Sequence, residues 1–451
     1  MNRLLEWLER ILLPATMRIV ENRYMQAIRN AFIGSALPMI IVGSVFLLFA
    51  IPPIPADITE GIIGEINRWL TEYRQILFIP YQFTFGLIAL WVCYGIAYHL
   101  SQFYKLDASR LGLTAVSALL VFSVPIGIPS ASGMLGLEAI RVDQLMENLG
   151  ASGLFVAILT GIWVVELNRF LFRYGIVIKL PPSVPGNVAR SFEMMIPTFL
   201  VVATAFLIEW WVTRTFSPHP LNPDNALTLP KLIMLKLSFL VQASDTLPSA
   251  ILQIVLMMLL WAVGIHGMNV VSSVAYPLWQ TNLQSNIASY SAGQPATHIV
   301  SEPFFHMYSH LGGSGATLPL VIMLLWSRSQ QLKSVGRVSL MPGIFNINEP
   351  VTFGVPIALN PIMVIPFLIA PTVIVTINYL VMKMGLVPVP AIQPPLTMPV
   401  FLGGFLANGS WRGAALQGFD LVVSALIYYP FFKMWEKRLL NDAEGVAKNN
   451  V

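Results

Sequence analysis

The chain has 451 residues, of which 56% are hydrophobic and only 11% are charged, and its formal net charge is +4. Soluble domains are about 25% charged, so this composition excludes an ordinary soluble protein, and we expect no nucleic-acid partner. Uncharged apolar runs of the length of a transmembrane helix recur along the chain, and the alternation typical of membrane β-barrels is absent. The sequence therefore predicts an all-α integral membrane protein.

The first 30 residues predict an amphipathic helix at the membrane surface, not a cleaved signal. Acidic and basic residues are spread through this segment, and no apolar core precedes a small-residue cleavage site. Such a segment is typical of an interfacial helix before the first span. The single cysteine, Cys93, lies in an apolar run, which excludes an intrachain disulfide and favours a buried packing role.

Basic and acidic connections alternate between the apolar runs of the first half. The N-terminal segment is rich in arginine, the connection at 51–74 is mostly acidic, and later connections continue the alternation. Because Lys and Arg near span ends stay on the cytoplasmic side, this pattern places the N-terminus in the cytoplasm. It predicts spans near residues 31–50, 78–100, 112–129, 151–172 and 196–213.

The second half does not follow this simple pattern. Hydropathy favours spans at 249–277 and 311–327, but the segment between them is too polar to face lipid. Irregular backbone at membrane depth is tolerated where it is buried in protein or lines a cavity, so we expect re-entrant backbone there and at 338–361. Spans at 362–382 and about 415–432 then return the C-terminus to the cytoplasm.

These elements add up to about ten transmembrane helices and two re-entrant hairpins, after the N-terminal amphipathic helix. Interrupted membrane segments are the best sequence indication of a transporter's binding site. We therefore predict a scaffold domain at residues 1–215 and a transport domain that contains the binding site at residues 216–451.

One carboxylate stands alone in an apolar region, because Glu349 is the only charged residue from Val338 to Met382. A charge at bilayer depth costs roughly 2.5–3.5 kcal/mol on insertion scales. Glu349 is thus expected to face a partner or a wet cavity, or to stabilise the N-terminus of a half-helix. Asn346 and Asn348 add neutral hydrogen-bonding groups nearby, and this combination suits a polyhydroxyl ligand better than an ion.

His266 lies between Gly264 and Gly267, which permit bends and close approach of the backbone. It is either a satisfied core histidine or a ligand contact, and a neutral imidazole can accept a hydroxyl proton near physiological pH. Two neighbours, Trp261 and Asn269, are further candidate contacts. The indole could offer a flat face to a sugar ring, although Trp also favours helix–helix and interfacial positions.

The segment GGSGATL at 312–318 begins an apolar run, and Gly313 and Thr317 are its candidate contacts. Glycines at a helix start can present backbone N–H groups to a ligand, but small residues also serve helix packing in membranes. His306 and His310 are spaced i, i+4 and have no convincing third ligand. We expect neither a metal ion nor a cofactor.

Three motifs carry a resemblance to a known family: GIHGMNVV at 264–271, GGSGATL at 312–318 and GIFNINEPVTFGVPIALNP at 343–361, in this order. In these motifs the chain resembles the membrane permease component, EIIC, of the sugar phosphotransferase system, in the lactose/cellobiose/diacetylchitobiose family. The resemblance implies a homodimer in the bacterial cytoplasmic membrane, in contact through its N-terminal spans. It also implies that the C-terminal half holds a disaccharide between re-entrant hairpins.

The resemblance implies the chemistry as well. A separate cytosolic EIIB, charged through EIIA and HPr, transfers a phosphoryl group from a phosphocysteine to the 6-hydroxyl of the sugar. The chain is then an enzyme only as the membrane component of this phosphotransferase, and His266 and Glu349 are expected beside that hydroxyl. A positioned proton acceptor helps a poor nucleophile, and phosphoryl transfer otherwise depends on in-line placement. Which of the two residues accepts the proton is open at this point.

Two other functions use the same residues. A proton-coupled secondary sugar transporter would use Glu349 as its proton site and release the sugar unmodified. An intramembrane enzyme would use His266 and Glu349 on a lipid-linked substrate. The first predicts uptake by this chain alone in a pH gradient, whereas the phosphotransferase system predicts a sugar 6-phosphate that forms only with a phosphorylated partner.

Overall fold

A computed structural model of the chain describes residues 21–50, 60–126, 142–181, 183–217, 227–357, 360 and 362–449. Within these ranges every regular element is a helix. Of the predicted amphipathic helix at residues 1–30, the part up to residue 20 lies outside the described residues. The remainder is helical from Arg23 and runs without a break into the first span.

The helices of the first half are, in chain order, α1 (Arg23–Asn30), α2 (Leu37–Ala50), α3 (Gly61–Glu72), α4 (Arg74–Gln82), α5 (Ile88–Phe103), α6 (Ala108–Phe122), α7 (Val142–Leu149), α8 (Leu154–Arg173), α9 (Gly186–Glu193) and α10 (Met195–Phe216). A π-helical turn, Ala31–Ala36, joins α1 to α2. Two 3-10 turns, Phe85–Leu87 and Ala151–Gly153, precede α5 and α8.

The helices of the second half are α11 (Leu229–Ser244), α12 (Leu247–Ala262), α13 (Gly267–Ser291), α14 (Glu302–Tyr308), α15 (Leu318–Leu325), α16 (Gln330–Ile344), α17 (Glu349–Gly354), α18 (Val364–Lys383), α19 (Leu402–Asn408) and α20 (Trp411–Asn449). Several of them are only six to eight residues long. Short helices joined by irregular backbone are therefore the main feature of this half.

Among the described residues, six helical stretches are long and apolar enough to cross a membrane: Arg23–Leu47, Arg74–Phe103, Ala151–Arg173, Gly186–Phe216, Val364–Lys383 and Trp411–Asn441. A seventh crossing results if α11 and α12, bent by 77° at their junction, count as one span. The predicted span at 112–129 overlaps the shorter apolar helix α6, and its last three residues lie outside the described residues. The all-helical membrane architecture is confirmed, while the number of about ten crossings stays a prediction.

Two predicted spans are interrupted in the structure. The candidate at 249–277 is divided, because α12 ends at Ala262 and α13 begins only at Gly267. The candidate at 311–327 contains just the eight-residue helix α15, after turns at 309–317. The backbone is left-handed at Gly264 and Gly312, with φ of 82° and 83°. Hydropathy averages over a window and does not detect such a local break, so both spans were predicted too long.

Small residues allow close helix packing in a first compact unit, here called the N-terminal unit, which contains the described residues of Glu21–Phe46 and Phe78–Phe239. Helix α5 packs there against α6, α8 and the π-helical turn. A Cβ added to Gly95 would lie 2.6 Å from Ser35 Oγ, and one added to Gly161 would lie 3.0 Å from Ile96 Cβ. Close approach of this kind stabilises helix pairs in lipid, where the hydrophobic effect between helices is missing.

The second unit, here called the C-terminal unit, contains the described residues of Leu47–Leu77 and Leu240–Val451. In it α12 packs against α18, and α18 packs against α20, which also contacts α15 and α19. The short helix α14 contacts α13, α18, α19 and α20. Within the described residues the chain passes between the units at 46/47, 77/78 and 239/240, whereas the predicted domains have one boundary at 215/216. The roles assigned to those domains stay predictions.

We expect Gly95→Val to lower the thermal unfolding midpoint of the protein purified in detergent. Its side chain would collide with Ser35 on the π-helical turn, and overpacking of this kind typically costs about 1–3 kcal/mol. Gly186→Ala is the control, because a Cβ added at Gly186 meets no atom within 4 Å. Equal midpoints for the two variants would contradict the close packing of α5.

Candidate functional site

His266 lies at the break between α12 and α13 and is the N-cap residue of α13. Its Nδ1 accepts a hydrogen bond of 3.3 Å from the backbone N–H of Asn269. Its ring centroid lies 4.5 Å from that of Trp261, with an angle of 47° between the ring planes. The structure thus brings three predicted site residues, Trp261, His266 and Asn269, together at this break.

Different structural constraints require glycine at the two positions beside His266. Gly264 has a φ of 82°, which lets the chain change direction after α12 ends. A Cβ added to Gly267 would lie 1.9 Å from the carbonyl oxygen of Met257, so only glycine permits this approach of α13 to α12. Together they place His266 against the end of the helix that carries Trp261.

Residues 309–317, here called the glycine-rich loop, connect α14 to α15. The backbone is left-handed at Gly312, Gly313, Gly315 and Ala316, with φ of 83°, 93°, 87° and 53°. Thr317 is fully buried, and its hydroxyl donates a hydrogen bond of 2.8 Å to the carbonyl oxygen of Gly312. The predicted contact Thr317 therefore closes the loop on itself.

Asn346 and Asn348 join the NINEP segment to the glycine-rich loop. Asn346 Oδ1 accepts from Gly312 N–H (2.9 Å), and its Nδ2 donates to the carbonyl oxygen of Met398 (2.9 Å). Asn348 Nδ2 donates to the carbonyl oxygen of Ser314 (2.6 Å). A Cβ added to Gly313 would lie 2.6 Å from that of Asn348. These contacts assemble four predicted site residues: Gly313, Thr317, Asn346 and Asn348.

Glu349 begins the six-residue helix α17, and its side chain is exposed. Its carboxylate forms no hydrogen bond or ion pair with any part of the chain that the structure describes, and no contact there joins it to His266. The described residues therefore offer it no polar partner, and its expected position in a wet cavity stays a prediction. The other expectation agrees with the structure, because a carboxylate in the first turn of a helix is favourably placed.

His310 is not among the predicted site residues, yet it belongs to the glycine-rich loop. Its carbonyl oxygen accepts from Gly313 N–H (2.9 Å). Its Nδ1–H donates to the carbonyl oxygen of Phe305 (2.8 Å), which leaves Nε2 as an acceptor in the neutral ring. The signal that could have indicated it is its position two residues before the GGSGATL motif.

Two buried polar atoms of this region have no partner among the described residues. They are Nε1 of Trp261 and Nε2 of His310, and the two side chains are 3% and 4% exposed. Buried polar atoms are normally hydrogen-bonded because leaving them unpaired is costly. One donor and one acceptor of this region thus have hydrogen-bonding capacity that the described residues leave unused. The described residues contain no group of three metal-ligating side chains.

Comparisons with known proteins agree on one family. The family model described as "Phosphotransferase system, EIIC" matches residues 29–371, a range that includes all three motifs. The cellobiose-specific EIIC component of Geobacillus stearothermophilus is 36% identical over 445 residues, which cover 97% of this chain and 95% of the relative. The lactose-specific EIICB component of Lacticaseibacillus casei is 31% identical over 441 residues, which cover 97% of this chain and 72% of the relative.

A solved structure is similar over almost the full length. It is the crystal structure of ChbC, the IIC component from the N,N'-diacetylchitobiose-specific phosphotransferase system. The TM-score is 0.86 and the sequence identity is 33%, over 97% of this chain and 99% of that chain.

We expect Asn348→Ala to destabilise the protein, because it leaves the buried carbonyl of Ser314 without its hydrogen bond. An unsatisfied buried polar group costs about 1–3 kcal/mol, which thermal melts of the purified protein would detect. Asn187→Ala is the matched control, since Asn187 is exposed and contributes only its backbone carbonyl to hydrogen bonds. If the two variants melt at the same temperature, Asn348 does not hold the loop.

Proposed function

The chain belongs to the EIIC family of the phosphotransferase system, and from this premise we propose that it binds a disaccharide and moves it into a bacterium for phosphorylation. The family match over residues 29–371 is the observation that carries the proposal. The names of the similar proteins specify cellobiose, lactose and N,N'-diacetylchitobiose. All three ligands are β-linked disaccharides, so we propose this class as the substrate.

We propose that the phosphoryl group comes from a phosphocysteine of EIIB, which is charged through EIIA and HPr, and that it goes to the 6-hydroxyl of the sugar. The similar protein of Lacticaseibacillus casei is named an EIICB component, which supports a functional pairing of the two parts. In this arrangement the chain contributes the membrane part of the enzyme. It binds and orients the sugar, while the partner supplies the reactive phosphate.

His266 is proposed to act as a hydrogen-bond donor to the sugar. Because its Nδ1 accepts the N–H of Asn269, a neutral imidazole carries its hydrogen on Nε2. That nitrogen can donate to a sugar oxygen but cannot take a proton from it. The indole N–H of Trp261 is buried without a partner among the described residues, and it is proposed as a second donor to the sugar.

Glu349 is proposed as the acceptor of the proton from the 6-hydroxyl. Its carboxylate is exposed and makes no hydrogen bond within the described part of the chain, so it is available to a ligand. A group that activates the hydroxyl for phosphoryl transfer must be accessible to the sugar and to EIIB, because the phosphoryl donor has to approach the hydroxyl in line. Asn269, Gly313, Thr317, Asn346 and Asn348 are proposed to line the sugar or to hold the loops that do so.

We further propose about ten crossings in the bacterial cytoplasmic membrane, with both termini in the cytoplasm and a homodimer formed through the spans of residues 1–215. Exposed basic residues support this orientation of the second half: Arg328, Arg337, Lys437 and Arg438. Helix α10 supports a lipid or subunit contact, since it exposes Phe199 (69%) and Trp211 (54%).

The test is a transport assay with purified protein in liposomes and a labelled disaccharide such as cellobiose. We expect sugar 6-phosphate to form only when phosphorylated EIIB is present on the cytoplasmic side. Uptake of unmodified sugar by the chain alone, driven by an imposed pH gradient, would instead support a proton-coupled transporter and contradict the proposal.

Glu349→Gln is expected to abolish sugar phosphorylation, because an amide cannot accept the hydroxyl proton. Expression, dimer formation and sugar binding should persist, since the exposed carboxylate has no partner within the described residues. Glu72→Gln, at another exposed glutamate, is the control. Normal product formation by Glu349→Gln would remove the proposed role.

His266→Ala is expected to lose turnover, with a smaller loss of sugar binding. His266→Gln should retain more turnover than the alanine variant, because the glutamine amide can still donate to the sugar but is not a base. Turnover with phosphorylated EIIB and calorimetric sugar binding separate the two effects. Equal inactivity of both variants would indicate that the imidazole itself takes the proton, and unchanged turnover in both would make His266 a core residue only.

A further inference from the structure

Helix α20 carries a row of buried polar side chains inside a stretch apolar enough to span the membrane, Trp411–Asn441. Gln417, Asp420, Ser424 and Tyr428 are each at most 1% exposed. Their spacings of three, four and four residues place them on one face of the helix. Polar groups in a membrane segment normally have partners inside the protein, so this row requires them.

The partners are backbone carbonyl groups at both ends of the segment 307–316, which includes most of the glycine-rich loop. Gln417 Nε2 donates to the carbonyl oxygen of Met307. Ser424 Oγ donates to that of Ala316 (2.7 Å), and Tyr428 OH donates to that of Gly315 (2.8 Å). One face of α20 therefore fixes the backbone on which the loop depends.

Asp420 reaches the same segment through Asn378 of α18. Asn378 Nδ2 donates both to Asp420 Oδ2 (2.9 Å) and to the carbonyl oxygen of Tyr308 (3.0 Å). The remaining oxygens of this pair, Asp420 Oδ1 and Asn378 Oδ1, are both buried and have no partner among the described residues. Two acceptors without a donor in one side-chain pair are an unfavourable arrangement.

A proton on the carboxyl group would remove this difficulty. The acid O–H of Asp420 would then be a donor for Asn378 Oδ1, while Asn378 Nδ2 donates to Asp420 Oδ2 (2.9 Å). No Lys, Arg or His side chain in the described part of the chain forms an ion pair with Asp420. A buried carboxylate without a counter-ion is strongly disfavoured, which is a second reason for the neutral form.

We propose that Asp420 is a neutral carboxylic acid and a positioning residue of the sugar site. Through Asn378 it holds the carbonyl of Tyr308, and Ser424 and Tyr428 hold those of Ala316 and Gly315. The NINEP segment holds the same loop by other atoms, because Asn346 accepts from Gly312 N–H and Asn348 donates to the carbonyl of Ser314. The loop is thus fixed from α18 and α20 on one side and by two asparagines on the other.

This inference rests on the proposed function, since it takes the glycine-rich loop to be part of the sugar site. Removal of one anchor then weakens sugar binding even when the protein stays folded. Tyr428→Phe removes only the hydrogen bond to Gly315, and we expect it to weaken the disaccharide affinity by about fivefold, which equals ~1 kcal/mol. Tyr429→Phe is the matched control, because Tyr429 is on the same helix and 55% exposed.

The neutral state of Asp420 is tested by comparing Asp420→Asn with Asp420→Ala. An asparagine can form the same two hydrogen bonds with Asn378, so Asp420→Asn should bind cellobiose and support phosphorylation like the wild type, while Asp420→Ala should be weakened in both. Calorimetry, turnover with phosphorylated EIIB and thermal melts are measured on the same preparations. A variant Asp420→Asn as defective as Asp420→Ala would overturn the proposal.

Two further results decide the remaining cases. If Tyr428→Phe lowers the unfolding temperature and leaves affinity and turnover at the Tyr429→Phe level, the row of α20 is structural only and the positioning role is wrong. If the wild type neither binds a disaccharide nor supports its phosphorylation, the proposed function fails. Infrared spectra then still test the acid itself: the wild type should show a carboxylic acid C=O band that Asp420→Asn lacks, and the absence of a difference contradicts the neutral form.

Discussion

The C-terminal unit depends on side chains that hydrogen-bond to irregular backbone in a membrane protein. Lipid cannot satisfy a free N–H or C=O group, so each break in a helix requires a partner from the protein itself. Asn286 is the clearest case, because its amide donates to the carbonyls of His298 (2.6 Å) and Pro390 (2.9 Å) and accepts from the N–H of His298 (2.9 Å). Asp245 is a second case, because its Oδ1 accepts a hydrogen bond from the backbone N–H of Val300 (2.7 Å).

The same requirement determines the chemistry of the candidate site. The N-terminus of α13 has N–H groups without helical partners, and His266 satisfies that of Asn269 through Nδ1. This bond decides which nitrogen of the neutral ring carries hydrogen, and it is the ground on which His266 is proposed as a donor. The glycine-rich loop follows the same rule, since two asparagines of the NINEP segment and two hydroxyls of α20 bind its backbone. The contacts that support the irregular backbone are therefore also the ones on which the proposed ligand chemistry rests.

Regular spans could be predicted closely from the sequence, and the interruptions could not. The expected spans at 151–172 and 362–382 agree with Ala151–Arg173 and Val364–Lys383, because hydropathy and length are averages over many residues. The break at His266 depends on the φ of Gly264, which no average detects. The motifs named the glycine-rich loop and the NINEP segment as separate elements, but did not indicate that Asn346 and Asn348 bind the backbone of the loop. Asp420 was missed, although it is the only charged residue between Arg412 and Lys433 and could have been noticed on that ground.

The two carboxyl groups of the second half show how the environment assigns different roles to the same chemistry. Glu349 is exposed in the first turn of α17, where a negative charge is favourable and a ligand can approach, so it suits a proton acceptor. Asp420 is fully buried, with an amide beside it and no ion-pair partner among the described residues. It therefore suits a neutral acid that donates a hydrogen bond and keeps its proton. In the proposed function the two groups therefore have separate roles. Glu349 is the carboxylate that a ligand can reach, and Asp420 helps to keep the glycine-rich loop in one position.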